Sequence, residues 1–125
     1  MIIGIGSDIA KVARFEAAMQ RHGKRFAERL LGLQEQRRFA SHPQPAAYLA
    51  KRFAAKEAFL KALGTGLRHG MRLSEIETLN DASGRPSLHL TGQAQRLAQA
   101  AGVISAHVTL SDEQELALAF VVLEG

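Results

Sequence analysis

The 125-residue sequence predicts a single small α+β domain, residues 1–125, with helices gathered early and an antiparallel sheet built from later strands around one long central helix. Three observations lead there. From Lys11 to Leu63 the apolar residues recur at helical spacing, whereas from Ala106 they alternate strictly with polar ones. No internal repeat, low-complexity tract or long linker divides the chain. Hydrophobic residues make up 46% and mean hydropathy is −0.07, enough for a packed core. A 13.6 kDa chain buries only a modest share of its surface alone, so self-association is expected.

Taken in order, Ile2 to Ile9 reads as a short buried strand, followed by a helix from Lys11 that buries Val12, Phe15 and Met19 and stops at Gly23. Arg14 and Arg21, seven residues apart, then share its solvent face. A basic helical stretch covers Arg25 to Leu31, and Gly32 begins another helix with Glu35 placed for half a capping box. Ser41-His42-Pro43-Gln44-Pro45 is a turn. The long helix runs from Ala46 to Leu63 and ends in the glycine-rich Gly64-Thr65-Gly66-Leu67-Arg68-His69-Gly70. Ile76 to Asn80 and Pro86 to Leu90 flank a hairpin turn at Asp81-Ala82-Ser83-Gly84-Arg85. A short helix capped by Thr91 reaches Gly102. A half-buried strand then turns at Asp112-Glu113-Gln114 into the apolar strand Leu116 to Leu123.

Charge is divided unevenly. Residues 1–72 hold 14 Lys and Arg against 5 acids, a balance of +9, while the remainder holds 2 against 7, a balance of −5. Such a cationic half attracts polyanions, whether nucleic acid, an acidic protein or a phosphorylated small molecule. There is no cysteine, which excludes disulfides and thiolate zinc sites. No apolar run approaches the roughly 20 residues of a membrane span, and Met1 to Ile5 is too short for a signal peptide, so a cytoplasmic protein is expected.

Several charged residues sit where packing does not ask for them. On the long helix Phe59, Leu63, Leu49, Leu60 and Phe53 fill an arc of about 120°; Arg52 and Lys56 fall inside it, and Glu57 and Lys61 lie on its border one turn apart. A buried charge needs a partner, so these residues require anions, a metal or one another, a Glu57–Lys61 ion pair being the simplest case. Asp8 ends an apolar strand, where it serves either as a helix cap or as a ligand. One carboxylate at a strand end, another flanked by lysines, and a glycine-rich loop meet the needs of a magnesium and phosphate site. Gly4-Ile5-Gly6 lacks the third glycine of a dinucleotide fingerprint, and the five histidines show no zinc spacing. His107 reads as structural. With no tryptophan and one tyrosine, base-stacking platforms are poorly supplied.

The set Gly4-Ile5-Gly6-Ser7-Asp8-Ile9, Arg52-Phe53-Ala54-Ala55-Lys56-Glu57-Ala58 with Lys61, Gly64-Thr65-Gly66, Gly84-Arg85-Pro86 and the closing strand pair resembles the holo-[acyl-carrier-protein] synthase family, small trimeric 4'-phosphopantetheinyl transferases, over almost the whole chain. The resemblance implies the 4'-phosphopantetheinyl transferase fold and a homotrimer with sites at subunit interfaces. It implies coenzyme A as donor, Mg²⁺ as cofactor, apo acyl carrier protein as acceptor and a role in fatty acid biosynthesis. Asp8 and Glu57 match the metal ligands and Lys61 the lysine that meets the pyrophosphate, which makes these three the expected catalytic residues. Arg52, Lys61, Gly64, Thr65 and Gly66 match the coenzyme A stretch. Arg14, Arg21, Lys24 and Arg25 are expected to dock the acidic carrier. One departure stands out: many members have a Ser-His or Thr-His pair after the penultimate strand, where this chain has Ser111-Asp112. A basic nucleic-acid-binding module is the alternative, and it leaves Asp8 and Glu57 without a use.

Overall fold

Along the first strand it is glycine, not isoleucine, that faces inward. The computed structural model describes residues 1–125 in the order β1 (Ile2–Lys11), α1 (Val12–His22), α2 (Lys24–Leu30), α3 (Leu33–Ala40), α4 (Pro45–Leu63), a 3₁₀ turn (Leu73–Glu75), β2 (Ile76–Asn80), β3 (Pro86–Leu90), α5 (Gly92–Ala100), β4 (Ser105–Glu113) and β5 (Leu116–Glu124). The sequence reads as a buried strand over Ile2–Ile9, but β1 continues to Lys11 and is turned over. Ile2 is 62% exposed and Ile5 and Ile9 each 59%, while Gly6 and Ala10 are buried. Strand alternation puts Gly4, Gly6, Asp8 and Ala10 on one row. That row lies directly on α4: a Cβ added at Gly4 or Gly6 would collide with the carbonyl oxygen of Ala62 or Ala58. Only residues without a side chain allow this approach.

The strands form two antiparallel sheets rather than one. β1 pairs with β5 and β5 with β4, giving the order β1-β5-β4, while β2 and β3 make a separate hairpin. Ala117, Ala119, Val121 and Leu123 of β5 point inward onto α4 at 0% exposure. Their neighbours Leu116, Leu118 and Phe120 are 41%, 40% and 38% exposed, opposite Lys11, Ile9 and Ser7 of β1. The outer face of the sheet is therefore an uncovered apolar surface. No helix is long and apolar enough to cross a membrane.

The early helices follow the sequence closely. α1 buries Val12 and Phe15 and ends at Gly23 (φ 60°); the Phe15 ring packs 5.9 Å from Phe26 and 5.4 Å from Phe53. α4 starts with Pro45 in its first turn and stops at Gly64 in the left-handed region (φ 83°), where a side chain would be strained. The cap of α5 differs from expectation. Thr91 makes no side-chain cap bond; the Glu75 carboxylate takes the N–H of Gln93 at 3.1 Å and of Ala94 at 3.3 Å instead. A carboxylate suits the positive end of a helix better than a hydroxyl.

Lys56 finds its anion inside the fold. Glu35 and Lys56 are both 0% exposed and pair at 2.7 Å. The other two ammonium protons go to the carbonyls of Leu73, at 2.9 Å, and Ile76. Glu35 also accepts the N–H of Gly32 at 3.1 Å, the expected half capping box, and of Thr78 at 2.9 Å. Its own N–H donates to buried Glu77 at 2.9 Å, and its carbonyl accepts the Tyr48 hydroxyl at 3.0 Å. Burial pushes the Lys56 pKa down and Glu35 opposes the shift. This network ties α3, α4 and β2 together with every donor of the ammonium used.

Lys56→Met leaves Glu35 as a buried charge without its partner and is expected to cost about 3–5 kcal/mol of unfolding free energy. Glu35→Gln is expected to cost less, because its amide oxygen can still accept one bond. Urea melts of both variants measure the difference, and a Lys56→Met protein as stable as the parent would contradict the structural role given to the pair.

Candidate active site

The inward row of β1 delivers Asp8 to the side of α4 that carries Glu57 and Lys61. Lys61 donates to Asp8 Oδ1 at 3.1 Å and to the Ser7 carbonyl at 2.9 Å, and its side chain is 55% exposed against 16% for Asp8. The helical ion pair expected between Glu57 and Lys61 does not form; Lys61 reaches across to the strand. Glu57 is half-buried. Its pKa is raised by burial and then by the negative charge of Asp8, with Lys61 and Arg14 pulling the other way. Arg14 lies with its guanidinium 5.0 Å from the Phe53 ring centre and 5.6 Å from that of Phe15. Two carboxylates that repel one another beside a half-exposed ammonium form a candidate place for a cation and a phosphate together.

Beyond the helix, Gly64 and Gly66 adopt φ of 83° and 63°, nothing lies near either Cα where a side chain would project, and the Thr65 hydroxyl bonds the Gly66 carbonyl at 2.9 Å. The loop is open and its backbone is accessible to a ligand. No group of three or more His, Cys, Asp and Glu side chains gathers anywhere in the chain. The donor set is two carboxylates. That fits Mg²⁺, which commonly takes one or two protein carboxylates and completes its shell with water and substrate phosphates, and does not fit zinc.

Arg52 is not part of this cluster. Five residues before Glu57 on the same helix, it points about 140° away, into a separate cavity of about 530 Å³ lined by Arg38, Tyr48, Lys51 and Asn80 among others. Arg52 is 6% exposed. It donates through Nη2 to Asn80 Oδ1 and lies 4.5 Å from the Tyr48 ring centre, while its buried Nε has no partner. None of the ion pairs in the protein involves it. A buried guanidinium without an anion is costly, which makes this pocket a candidate anion site. Asp112 faces Lys51 at 3.6 Å on the same pocket. His107 pairs with Glu124 at 2.6 Å on the sheet.

A third feature is a basic surface. Arg21, Arg25 and Arg29 surround a cavity of about 530 Å³ with Ala18, His22 and Phe26. Arg21 and Arg25 meet there as expected. Lys24 does not join them; it lines another groove with Met19, Ala27 and Phe39, because one residue of helix turns it about 100° from Arg25. Arg14 sits next to Glu57 rather than in the cavity. Arg29 is missing from the sequence reading although its position four after Arg25 signals the shared face. Tyr48, four before Arg52, was legible in the same way, whereas Asn80 arrives only through the β2 fold.

A family model of the 4'-phosphopantetheinyl transferase superfamily matches residues 4–121. The chain is 50% identical over 123 residues to the holo-[acyl-carrier-protein] synthase of Photorhabdus laumondii, with 98% of each chain covered. Among solved structures, the holo-[acyl-carrier-protein] synthase of Neisseria meningitidis superposes with a TM-score of 0.93 at 40% identity over 100% of both chains. That of Bacillus anthracis, in complex with CoA (3',5'-ADP), gives a TM-score of 0.82 at 35% identity, over 100% of this chain and 98% of that one. With the fold, the inward Gly-Gly-Asp row and the whole length accounted for, the chain belongs to the holo-[acyl-carrier-protein] synthase family of the 4'-phosphopantetheinyl transferase superfamily.

Proposed function

We propose that this protein transfers the 4'-phosphopantetheine arm of coenzyme A to a serine of an apo acyl carrier protein, releasing adenosine 3',5'-bisphosphate and supporting fatty acid biosynthesis. The observation that carries the reading is the meeting of Asp8, Glu57 and Lys61, brought together from strand β1 and from helix α4, with Asp8 and Lys61 53 positions apart in the chain. Asp8 and Glu57 would hold Mg²⁺, which when bound neutralises phosphate oxygens. Lys61, half exposed and tethered by a carboxylate it can leave, is placed to follow the charge that grows on the departing phosphate. The open Gly64-Thr65-Gly66 backbone lets the pyrophosphate approach closely. The serine oxygen bonds to phosphorus as the phosphorus–oxygen bond to the nucleotide breaks, and the serine proton falls to the carboxylate pair. We place the activity in the cytoplasm, whose reducing milieu suits a cysteine-free chain.

The same reading includes a homotrimer with shared sites. Within one chain the Asp8–Glu57–Lys61 cluster and the Arg52 pocket lie on opposite faces of α4, so a ligand that needs both must draw them from two chains. The exposed Ile5, Ile9, Leu118 and Phe120 supply a surface through which chains can associate. Arg21, Arg25 and Arg29 are the proposed landing site for the acidic carrier, with Arg14 at the edge nearest the catalytic cluster. A nucleic-acid-binding module leaves that cluster unexplained.

Incubation with coenzyme A, Mg²⁺ and apo carrier is expected to add the mass of one phosphopantetheine arm to the carrier. Asp8→Asn and Glu57→Gln are each expected to lower kcat by about 10²–10³-fold, the size seen when one electrostatic contact of a transition state is lost. No mass gain with any carrier defeats the proposal. Native mass in ultracentrifugation is expected at three times 13.6 kDa, falling toward one chain in Phe120→Glu with parallel loss of activity; a fully active monomer contradicts the shared site. Reversing Arg21, Arg25 and Arg29 to Glu is expected to raise KM for the carrier about tenfold and leave KM for coenzyme A unchanged, since such charges govern encounter. Equal losses for both substrates would remove the docking assignment.

A further inference from the structure

Between Leu63 and Leu73 the chain runs without a helix or strand, and four residues there have positive φ: Gly64 at 83°, Gly66 at 63°, His69 at 59° and Gly70 at 82°. Three are glycines, which enter that region freely. His69 carries a Cβ, so something must hold it there. The backbone bonds within the segment are few: Arg68 donates to the Gly66 carbonyl at 3.0 Å, and Met71 to that of Arg68 at 3.2 Å. One hydrogen bond reaches Gly64–Gly70 from a distant element. Gln93, in the first turn of α5, donates through Nε2 to the His69 carbonyl at 2.9 Å. Gln93 is itself fixed at two further points. Its backbone N–H donates to Glu75 Oε2 at 3.1 Å, and its Oε1 accepts Arg96 Nε at 2.9 Å. A guanidinium can only donate, so Arg96 takes the amide oxygen and turns the amide nitrogen to the loop, where a carbonyl can only accept. Glu75 Oε1 accepts the N–H of Arg72 at 3.0 Å, so the exit of the loop and the base of Gln93 hang on one carboxylate.

We propose that Gln93 is a positioning residue: by holding His69 in the left-handed region it keeps the Gly64–Gly70 loop in the shape that receives coenzyme A. The inference rests on the function proposed above, in which the open backbone of this loop meets the pyrophosphate. On its outer side the loop has little else to hold it, since Gly66 to Gly70 are all exposed. A loop free to leave the receiving shape binds only during the fraction of time it spends there, and the apparent dissociation constant rises by the inverse of that fraction. Once coenzyme A is seated, the loop has the same shape with or without its clamp. The loss therefore falls on binding and not on the chemical step. Glycine at position 69 would enter the left-handed region without help and so depend less on Gln93.

Gln93→Met, which keeps the length of the side chain but has no proton to give, tests the idea in the whole protein. Steady-state kinetics with apo carrier are expected to show KM for coenzyme A raised several-fold to about tenfold, the range set by the net worth of one hydrogen bond. The values of kcat and of KM for the carrier are expected to stay as in the wild type. Adding His69→Gly to Gln93→Met is expected to bring KM for coenzyme A back toward the wild-type value, a rescue that a residue serving only the fold would not allow. Limited trypsin digestion gives a reading without turnover: cleavage after Arg68, followed by mass spectrometry, is expected to be several-fold faster in Gln93→Met and to be slowed in both proteins by coenzyme A. Unchanged KM for coenzyme A in Gln93→Met overturns the assignment, as does an equal rise for both substrates, a fall in kcat alone, or unchanged cleavage after Arg68. In each of those cases the proposed function survives if the carrier still gains its arm. Wild-type protein that modifies no carrier defeats the proposed function instead, while the digestion still tests whether Gln93 holds the loop.

Discussion

Because Gly4 and Gly6 lack side chains, the backbone of β1 rests on the carbonyls of Ala58 and Ala62, and Asp8, next on the same row, arrives beside Glu57 and Lys61. The strand's period of two makes these outcomes inseparable. If glycines and the aspartate face the helix, then Ile5 and Ile9 must face away, and the outer surface of the sheet becomes apolar. The geometry of the Asp8–Glu57–Lys61 cluster and the exposed face thus descend from one packing decision. Asp8, Glu57 and Lys61 are carried by a regular strand and a regular helix, which hold side chains more tightly than loops do.

Helix α4 divides its length among three tasks. Glu57 and Lys61 turn toward β1, Arg52 turns toward Asn80 and its separate pocket, and Lys56 points into the interior. The buried Glu35–Lys56 pair fixes the helix about its own axis, since three acceptors, from α3, the 3₁₀ turn and β2, grip the ammonium. Rotation by even a fraction of a turn would break them. That grip keeps the two other polar sides of the helix in register with their surroundings, which a purely apolar contact, tolerant of sliding, would do less well.

What the sequence reveals and what it hides have separate causes. The β2–β3 hairpin is legible to the residue because its turn chemistry is local, with Asp81 accepting three bonds within four residues. Helix ends at Gly23 and Gly64 are legible for the same reason. Asp8, Glu57 and Lys61 declare themselves by breaking an apolar pattern. An alternating Ile row, by contrast, reads the same whether it covers a core or lies open, and only the tertiary contact of the glycines decides. Glu35 looks like a surface cap because its second role depends on a lysine 21 residues later. Asn80 and Glu75 are ordinary polar residues until the fold brings Arg52 to one and the start of α5 to the other.

The contact between β1 and α4 also constrains how this chain can change. Where two side chains touch, enlarging one can be answered by shrinking the other, and such pairs drift together over time. At Gly4 and Gly6 the obstructing atoms are main-chain oxygens, which every amino acid carries. No substitution at Ala58 or Ala62 can withdraw them. A side chain gained on the strand therefore has no second-site suppressor opposite it in the helix, and relief must come from moving the whole strand, which carries Asp8 away with it.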